Sequence, residues 1–298
     1  MNKLLLLLAV FLVSTAGLFA HQALAEATPL AIAAWRLGLA ALFFSGLSLL
    51  RRGESISSPT PKDVRWRLVL AGLCLAAHFV TWFAALDRTS VARATLLACT
   101  TPLWTTIGGF LLGRRRPTLR DIGALAVAGV GLWMVTQASA QTASRTTFLG
   151  DVFGLSAGLL FGSYLLCVEG LHKTISSQRQ VTAAYGVAAA LLWAALLARG
   201  GVTLAYSSSV WRALLGMTLG PQIFGHTLLN WSLRHFTSSL VAFSILLEPV
   251  IAALLAWYLL HQTLTAVQLF GGLLVLGALA LVISQKTTAE QAEAEPVG

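Results

Sequence analysis

Charge is what this chain has least of. Only 10% of its 298 residues are Asp, Glu, Lys or Arg, against about a quarter in a soluble globular chain. So few charges cannot cover a water-facing surface of this size. Disorder needs low hydrophobicity and high net charge, and a chain that is 57% hydrophobic with mean hydropathy +0.78 is the reverse. Cysteine is scarce as well. Three cysteines build no disulfide framework, and Cys74, Cys99 and Cys167 sit inside apolar runs, as small buried hydrophobes do. There is no G-x-x-x-x-G-K-[ST] loop to hold ATP, no H-E-x-x-H, no G-x-S-x-G, and no His/Cys spacing suited to zinc. No cofactor, metal or enzymatic activity is expected. The remaining class is a polytopic membrane protein.

Apolar runs of about 18–22 residues occur at 4–23, 30–50, 67–86, 91–112, 119–137, 149–170, 181–198, 210–230, 238–260 and 265–285. They are continuous rather than alternating, which points to helices and not barrel strands. The sequence therefore predicts an all-α integral membrane protein of ten spans, with a linker at 138–148 and a polar, acidic, disordered tail over 286–298. Residues 1–25, with Lys3 and Ala23-Leu24-Ala25 before Glu26, also fit a cleavable signal peptide. The repeat described next favours an uncleaved first helix.

The net charge of +9 does not indicate a nucleic-acid partner, because the basic residues gather in short loops. With the N-terminus inside, fourteen Lys and Arg fall in inner segments and five in outer ones; Arg36 lies within a span. That bias supports both termini on the cytoplasmic side of the membrane.

The chain repeats itself. Ala85-Leu86, then Ser90 to Pro102, Thr118 and Gly123, is answered by Ser232-Leu233, Thr237 to Pro249, Thr265 and Gly271. Pro102 and Pro249 are 147 residues apart, as are Ser90 and Thr237. Each half, 1–137 and 149–285, carries five spans. Five is odd, so the halves must be inverted relative to one another, with a substrate site near the midplane between them.

In these features the sequence resembles the drug/metabolite transporter superfamily in its bacterial form with two EamA domains. The resemblance rests on Ala34-Trp35-Arg36, on Ala85-Leu86 with Ser90 and Thr101-Pro102, and on Leu247-Glu248-Pro249 followed by Thr265 and Gly271-Gly272. It implies ten helices in two inverted repeats, a central cavity, and export of small metabolites, often amino acids. The chain departs from the family pattern where Gly-Glu usually follows the fourth and ninth helices. Those places read Gly113-Arg114-Arg115-Arg116 and Leu260-His261-Gln262.

Ionisable residues within spans are costly unless partnered or wet, so they head the list of candidates. Glu248 is the deepest carboxylate. It reads either as a proton-coupling group or as a structural acceptor for backbone donors freed by Pro249; its repeat counterpart is Thr101. Arg36 reads either as a partner for substrate charge or as structural, through a carboxylate, a helix C-terminus or snorkelling. Gln222, His226 and Asn230 recur every four residues and share one face, as do His78 and Trp82. These stripes suit a cavity lining or interhelical hydrogen bonding. Trp104 and Tyr164 can supply aromatic walls to an apolar or cationic substrate. Trp35, Trp66, Trp211 and Trp231 fall near span ends, as belt residues do. Glu169 and His172 read as a gate or as a solvated helix end. Gly123, Gly129, Gly131, Gly271, Gly272 and Gly277 allow close helix contact and an oligomer face.

The expected function is secondary transport: export of small polar metabolites through a midplane cavity, with protons as a coupling partner and lipid as the surroundings. An intramembrane enzyme on a lipid-linked substrate and a non-transporting scaffold remain as alternatives.

Overall fold

The computed structural model describes residues 2–50, 60–89, 91–140, 148–260 and 265–294. Among them there are helices and no strand. Backbone polar groups in an apolar medium must bond within their own segment, and continuous Leu/Ala-rich runs do so as helices. In chain order these are α1 (Asn2–Ser14), α2 (Ala16–Ala23), α3 (Pro29–Leu50), α4 (Lys62–Arg88), α5 (Val91–Ala98), α6 (Thr101–Leu111), α7 (Leu119–Ala140), α8 (Phe148–Val168), α9 (Ser177–Ala198) and α10 (Ser208–Met217). A π-helical segment, Thr218–His226, follows, then α11 (Thr227–Ser232), α12 (Ser238–Ile245), α13 (Glu248–Leu260) and α14 (Ala266–Ala294).

Among the described residues six segments are long and apolar enough to cross a membrane: Asn2–Ala23, Pro29–Leu50, Lys62–Arg88, Ala94–Leu111, Phe148–Lys173 and Ser177–Ala198. The other expected runs fall on α7, on α10 to α11, on α12 with α13, and on α14. Polar caps mark the segment ends. Ser176, Ser207 and Thr237 each accept a hydrogen bond from the third amide of the following helix. Gly170, at φ 79°, turns the chain after α8 in a conformation few other residues tolerate.

Toward the C-terminus α14 continues to Ala294, into the tail expected over 286–298. The stretch Thr287–Ala294 is rich in Ala, Glu and Gln, good helix formers, and no breaker occurs before Pro296. Ser90, 141–147 of the expected linker, His261, Gln262, Arg51, Arg52 and Arg145 lie outside the described residues.

The bundle is apolar outside and polar at its centre. Leu42, Trp66, Leu119, Trp133 and Leu273 face outward, each more than half exposed, whereas Arg36, His78, Gln180, Gln222, His226 and Asn230 are buried. α4 packs along α8 and α9, α3 along α9, and α7 along α14. α1 lies on the π-helical segment, and α2 on α10. Gly225 permits the first contact, since a Cβ there would come within 2.9 Å of Val13. α7 and α14 meet where a Cβ on Gly131 would sit 2.6 Å from the Gly271 carbonyl, while Gly123, Gly129 and Gly277 face open space.

Two spans are interrupted at matching places. Between α5 and α6 the chain turns through Thr100 N to Leu97 O, 3.2 Å; between α12 and α13 it turns through Leu246 N to Phe243 O and Leu247 N to Ser244 O, both 3.1 Å. Pro102 and Pro249 each stand second in the helix that resumes, where a missing N–H costs nothing.

Gly158 of α8 fits against the first interruption. A Cβ there would lie 2.4 Å from Thr100 Oγ1, 2.9 Å from Ala98 O and 3.0 Å from Leu97 O. Two of those atoms are backbone and cannot rotate away. Gly158→Ala should therefore lower stability by about 1–3 kcal/mol, the usual cost of overpacking. Gly123→Ala, with nothing within 4 Å, should leave it unchanged. Thermal unfolding of both variants in detergent checks this; equal midpoints would show that α8 does not seat on the interruption as described.

Candidate functional site

The two interruptions face one cavity. Ala98, Cys99 and Thr101 line it from the first, Ile245 and Glu248 from the second, together with Val13, Ala16, Arg36, His78, Phe79, Trp82, Phe161, His226 and Leu229. A helix interrupted at mid-span places polar side chains and unwound backbone where an intact helix would present only apolar surface. Thr101 and Glu248, counterparts under the 147-residue offset, both reach the cavity.

Rings form its walls. His78 lies 4.8 Å from Phe79 and 4.8 Å from Phe161, and His226 lies 5.4 Å from Phe79 and 5.5 Å from Phe161, edge-on to both. His78 Nδ1 is 2.9 Å from the Ala157 carbonyl. A carbonyl only accepts, so this nitrogen carries a proton, and in the neutral ring Nε2 is the free acceptor.

Arg36 is fully enclosed. Its Nε donates to Gln222 Oε1 at 2.7 Å, and its Cζ sits 4.3 Å from the centre of the Phe79 ring, at cation–π distance. Nη1 and Nη2 are buried without a hydrogen-bond partner. Among the described residues the Glu248 carboxylate makes neither a hydrogen bond nor an ion pair within 4 Å. The geometry thus lacks the acceptor role beside Pro249 that the sequence also allowed for Glu248.

Of the other candidates, Trp82 lines the cavity, and Gln222 stands behind it as the partner of Arg36. Tyr164 and Asn230 belong to a buried cluster instead. Tyr164 OH donates to Asn230 Oδ1 at 2.6 Å, Gln180 Nε2 donates to the same oxygen at 3.2 Å, and Asn230 Nδ2 donates to His226 O at 2.8 Å. This cluster ties α8, α9 and α11 together. Trp104 turns away from the cavity; its Nε1 donates to Thr100 Oγ1 at 3.1 Å, and its Cβ lies 2.9 Å from where a Cβ on Gly162 would stand. The even four-residue stripe of Gln222, His226 and Asn230 is divided by the π-helical segment, which changes the angle per residue.

Phe79, Phe161, Thr101 and Cys99 were missed as lining residues. Phe79 follows His78 directly and Phe161 stands one turn before Tyr164, yet an aromatic in an apolar run carries no mark that separates cavity from lipid.

Carboxylates tie the two halves of the chain at both ends of the bundle. At one end Glu169 Oε1 accepts from the Ser238 amide at 2.7 Å, and Oε2 lies 3.2 Å from Arg114 Nη1 and 3.6 Å from Arg115 Nη2. Arg115 also donates to Ser238 Oγ at 2.6 Å, and Arg67 to the carbonyls of Cys167 and Glu169. At the other end Glu26 Oε2 accepts from the Ser207 amide at 2.8 Å. Bonding from Ser207, its hydroxyl first and its amide second, holds the Glu26 carboxyl below its ordinary range. Trp35 and Trp211, expected as belt residues, pack together near that end at 5.0 Å, with Trp193 4.8 Å from Trp35.

The profile of the EamA-like transporter family matches residues 2–137 and 148–284. An uncharacterized transporter of Archaeoglobus fulgidus is 25% identical over 97% of this chain and 99% of its own. The uncharacterized transporter YwfM of Bacillus subtilis is 26% identical over 97% of each chain. A crystal structure 19% identical in sequence superposes with a TM-score of 0.76 over 97% of this chain and 98% of the other, which shows the same fold.

The buried cluster separates two kinds of polar residue. Tyr164→Phe removes one donor and leaves Asn230 Oδ1 bonded to Gln180, which should cost about 1 kcal/mol. Asn230→Leu strands both donors, at about 1–3 kcal/mol each. Unfolding midpoints should rank wild type, Tyr164→Phe, then Asn230→Leu. Indistinguishable variants would show that the cluster does not hold these helices together.

Proposed function

The chain belongs to the EamA-like transporter family, and on that basis we propose that it is a secondary transporter which exports small polar metabolites, amino acids or related compounds, through the cavity around Arg36, His78, His226 and Glu248. It is a multi-pass membrane protein. The observation that carries the reading is the meeting of two interrupted spans at one cavity, with a cation and a carboxylate in its walls and neither paired to the other. Charged groups at that depth are expensive, and a cargo that enters and leaves is a reason to keep them there.

Transport then proceeds by alternating access: ten spans, in inverted halves 1–137 and 149–285, rock about a site near the midplane. The carboxylate ties at the two ends fit this scheme, because each links the halves where a passage must open. His78, Trp82 and His226 line the cargo site; Gln222, Tyr164 and Asn230 support it from behind; Trp104 backs the first interruption. Glu248 is the proton-coupling group, facing Arg36, His78 and His226 across the cavity. Both termini lie on the cytoplasmic side of the bacterial inner membrane, an orientation the loop charge bias supports. The open glycine face of α7 and α14 is where a second copy would pack.

Counterflow in proteoliposomes tests the reading without an energy source. Purified protein should exchange labelled amino acids or a related class against unlabelled cargo. A pH gradient should then drive uptake by wild type, whereas Glu248→Gln should exchange but lose the pH-driven component. Exchange of nothing across amino acids, nucleosides and amines by folded protein would overturn transport; pH-driven uptake by Glu248→Gln would overturn its coupling role.

A further inference from the structure

The segment Gly113 to Asp121 carries four arginines and one carboxylate. Asp121 is occupied at the start of its own helix, where Oδ2 accepts from the amide and the hydroxyl of Thr118, both at 2.8 Å. Arg114 and Arg115 share Glu169, and each uses one nitrogen at the end of the bundle. Arg114 Nη1 donates to the Leu166 carbonyl at 2.8 Å and to Glu169; Arg115 Nη2 donates to Ser238 Oγ and lies near Glu169. Arg114 Nε and Nη2 and Arg115 Nη1 have no partner among the described residues, and the two side chains stay 34% and 24% exposed. Arg116 and Arg120 are exposed and make neither a hydrogen bond nor an ion pair among the described residues.

The apolar neighbours are open as well. Leu111 and Leu112 precede the arginines and Leu119 stands among them, each more than half exposed. Free guanidinium nitrogens beside open leucines suit the boundary between headgroups and acyl chains, where a long cationic side chain keeps its stem in the apolar layer and its head outside. The loop charge bias accounts for the sign of the charge at this end. It does not account for four cations in seven residues with donors left over. Nor does the repeat require them, since 260–267, 147 residues on from 113–120, holds no Lys or Arg.

We infer that the accessible nitrogens of Arg114 and Arg115, with Arg116 and Arg120, bind the headgroup phosphate of an anionic phospholipid, whose acyl chains lie on the exposed leucines beside them. The inference needs only the membrane-spanning fold and is independent of the transport reading. Guanidinium groups donate charge-assisted hydrogen bonds to phosphate oxygens. A headgroup with no ammonium of its own brings the negative charge that a crowd of like cations lacks, and basic side chains at the surface attract such lipids. The site lies on the outside of the bundle, apart from the central cavity.

The test uses the full chain purified in neutral detergent, with phosphatidylglycerol or phosphatidylcholine of the same acyl chains. Unfolding midpoints and native mass spectrometry read stabilisation and retained lipid. Phosphatidylglycerol should raise the midpoint and stay bound at concentrations where phosphatidylcholine does neither. Arg116→Gln and Arg120→Gln should each weaken its apparent affinity roughly fivefold, and the double variant about 25-fold. Lys173→Gln, which removes an exposed cation outside the cluster, should leave the affinity unchanged. Both arginines are exposed and unpaired, so without lipid the variants should unfold at the wild-type midpoint; if one does not fold, the wild-type comparison still decides. Equal effects of the two lipids would overturn the inference. So would an equal loss in Lys173→Gln, which would show general attraction rather than a site. Stabilisation by soluble glycerol phosphate as strong as by phosphatidylglycerol would overturn the lipid assignment, because the leucines would then contribute nothing.

Discussion

The hydrogen bond from Arg36 Nε to Gln222 Oε1 joins α3 to the π-helical segment, and much of the interior is arranged around it. Lipid offers a guanidinium no solvent, so the charge must be met inside the bundle. One amide oxygen and the face of Phe79 meet only part of it. The same contact orients Gln222, and the π-helical segment that carries Gln222 also brings His226 to the cavity wall. Four residues beyond His226, Asn230 gathers Tyr164 and Gln180. Helices from both halves of the chain are thus held together through polar groups at depth, while packing of Leu, Ala and Val forms the rest of the core.

Polar groups in this interior divide into two sets by satisfaction. Asn230, Tyr164 and Gln180 have partners and act as a rigid support. Arg36 Nη1 and Nη2 and the Glu248 carboxylate do not, and both residues line the cavity where two spans are interrupted. Fully satisfied polar networks rigidify, and an unsatisfied buried group is a cost. The satisfied cluster and the unsatisfied charges thus lie in different parts of the interior.

Much of this was legible in the sequence. Ten apolar runs, the 147-residue register and the charge bias in the loops point to a helical membrane bundle, and Ala34-Trp35-Arg36 and Leu247-Glu248-Pro249 carry the resemblance to the family. Arg36, His78, Trp82, His226 and Glu248 could be picked out because an ionisable or polar side chain in an apolar run is conspicuous. Trp104, a wall candidate by residue type, bonds Thr100 at the first interruption instead, since an aromatic's rotation about the helix axis leaves no trace in an apolar run. Phe79 and Phe161 were invisible for the same reason. Polarity over 286–294 reads as a tail, while its Ala, Glu and Gln content suits the helix that α14 continues to Ala294.

The amino-acid sequence by itself determined which segments are apolar, where prolines interrupt them, and which few polar residues lie deep, because each of these is set by local composition and spacing. Which of those polar residues are partnered was decided only by the tertiary structure. Gln222 bonds a residue 186 positions away, and Tyr164 bonds one 66 away. Arg36 Nη1 and Nη2 are left without acceptors because none of the helices packed around them brings one within reach. The π-helical segment further re-aimed a stripe that simple four-residue spacing would have kept on one face. Satisfaction of a buried group is a property of the whole packing, and no single helix contains it.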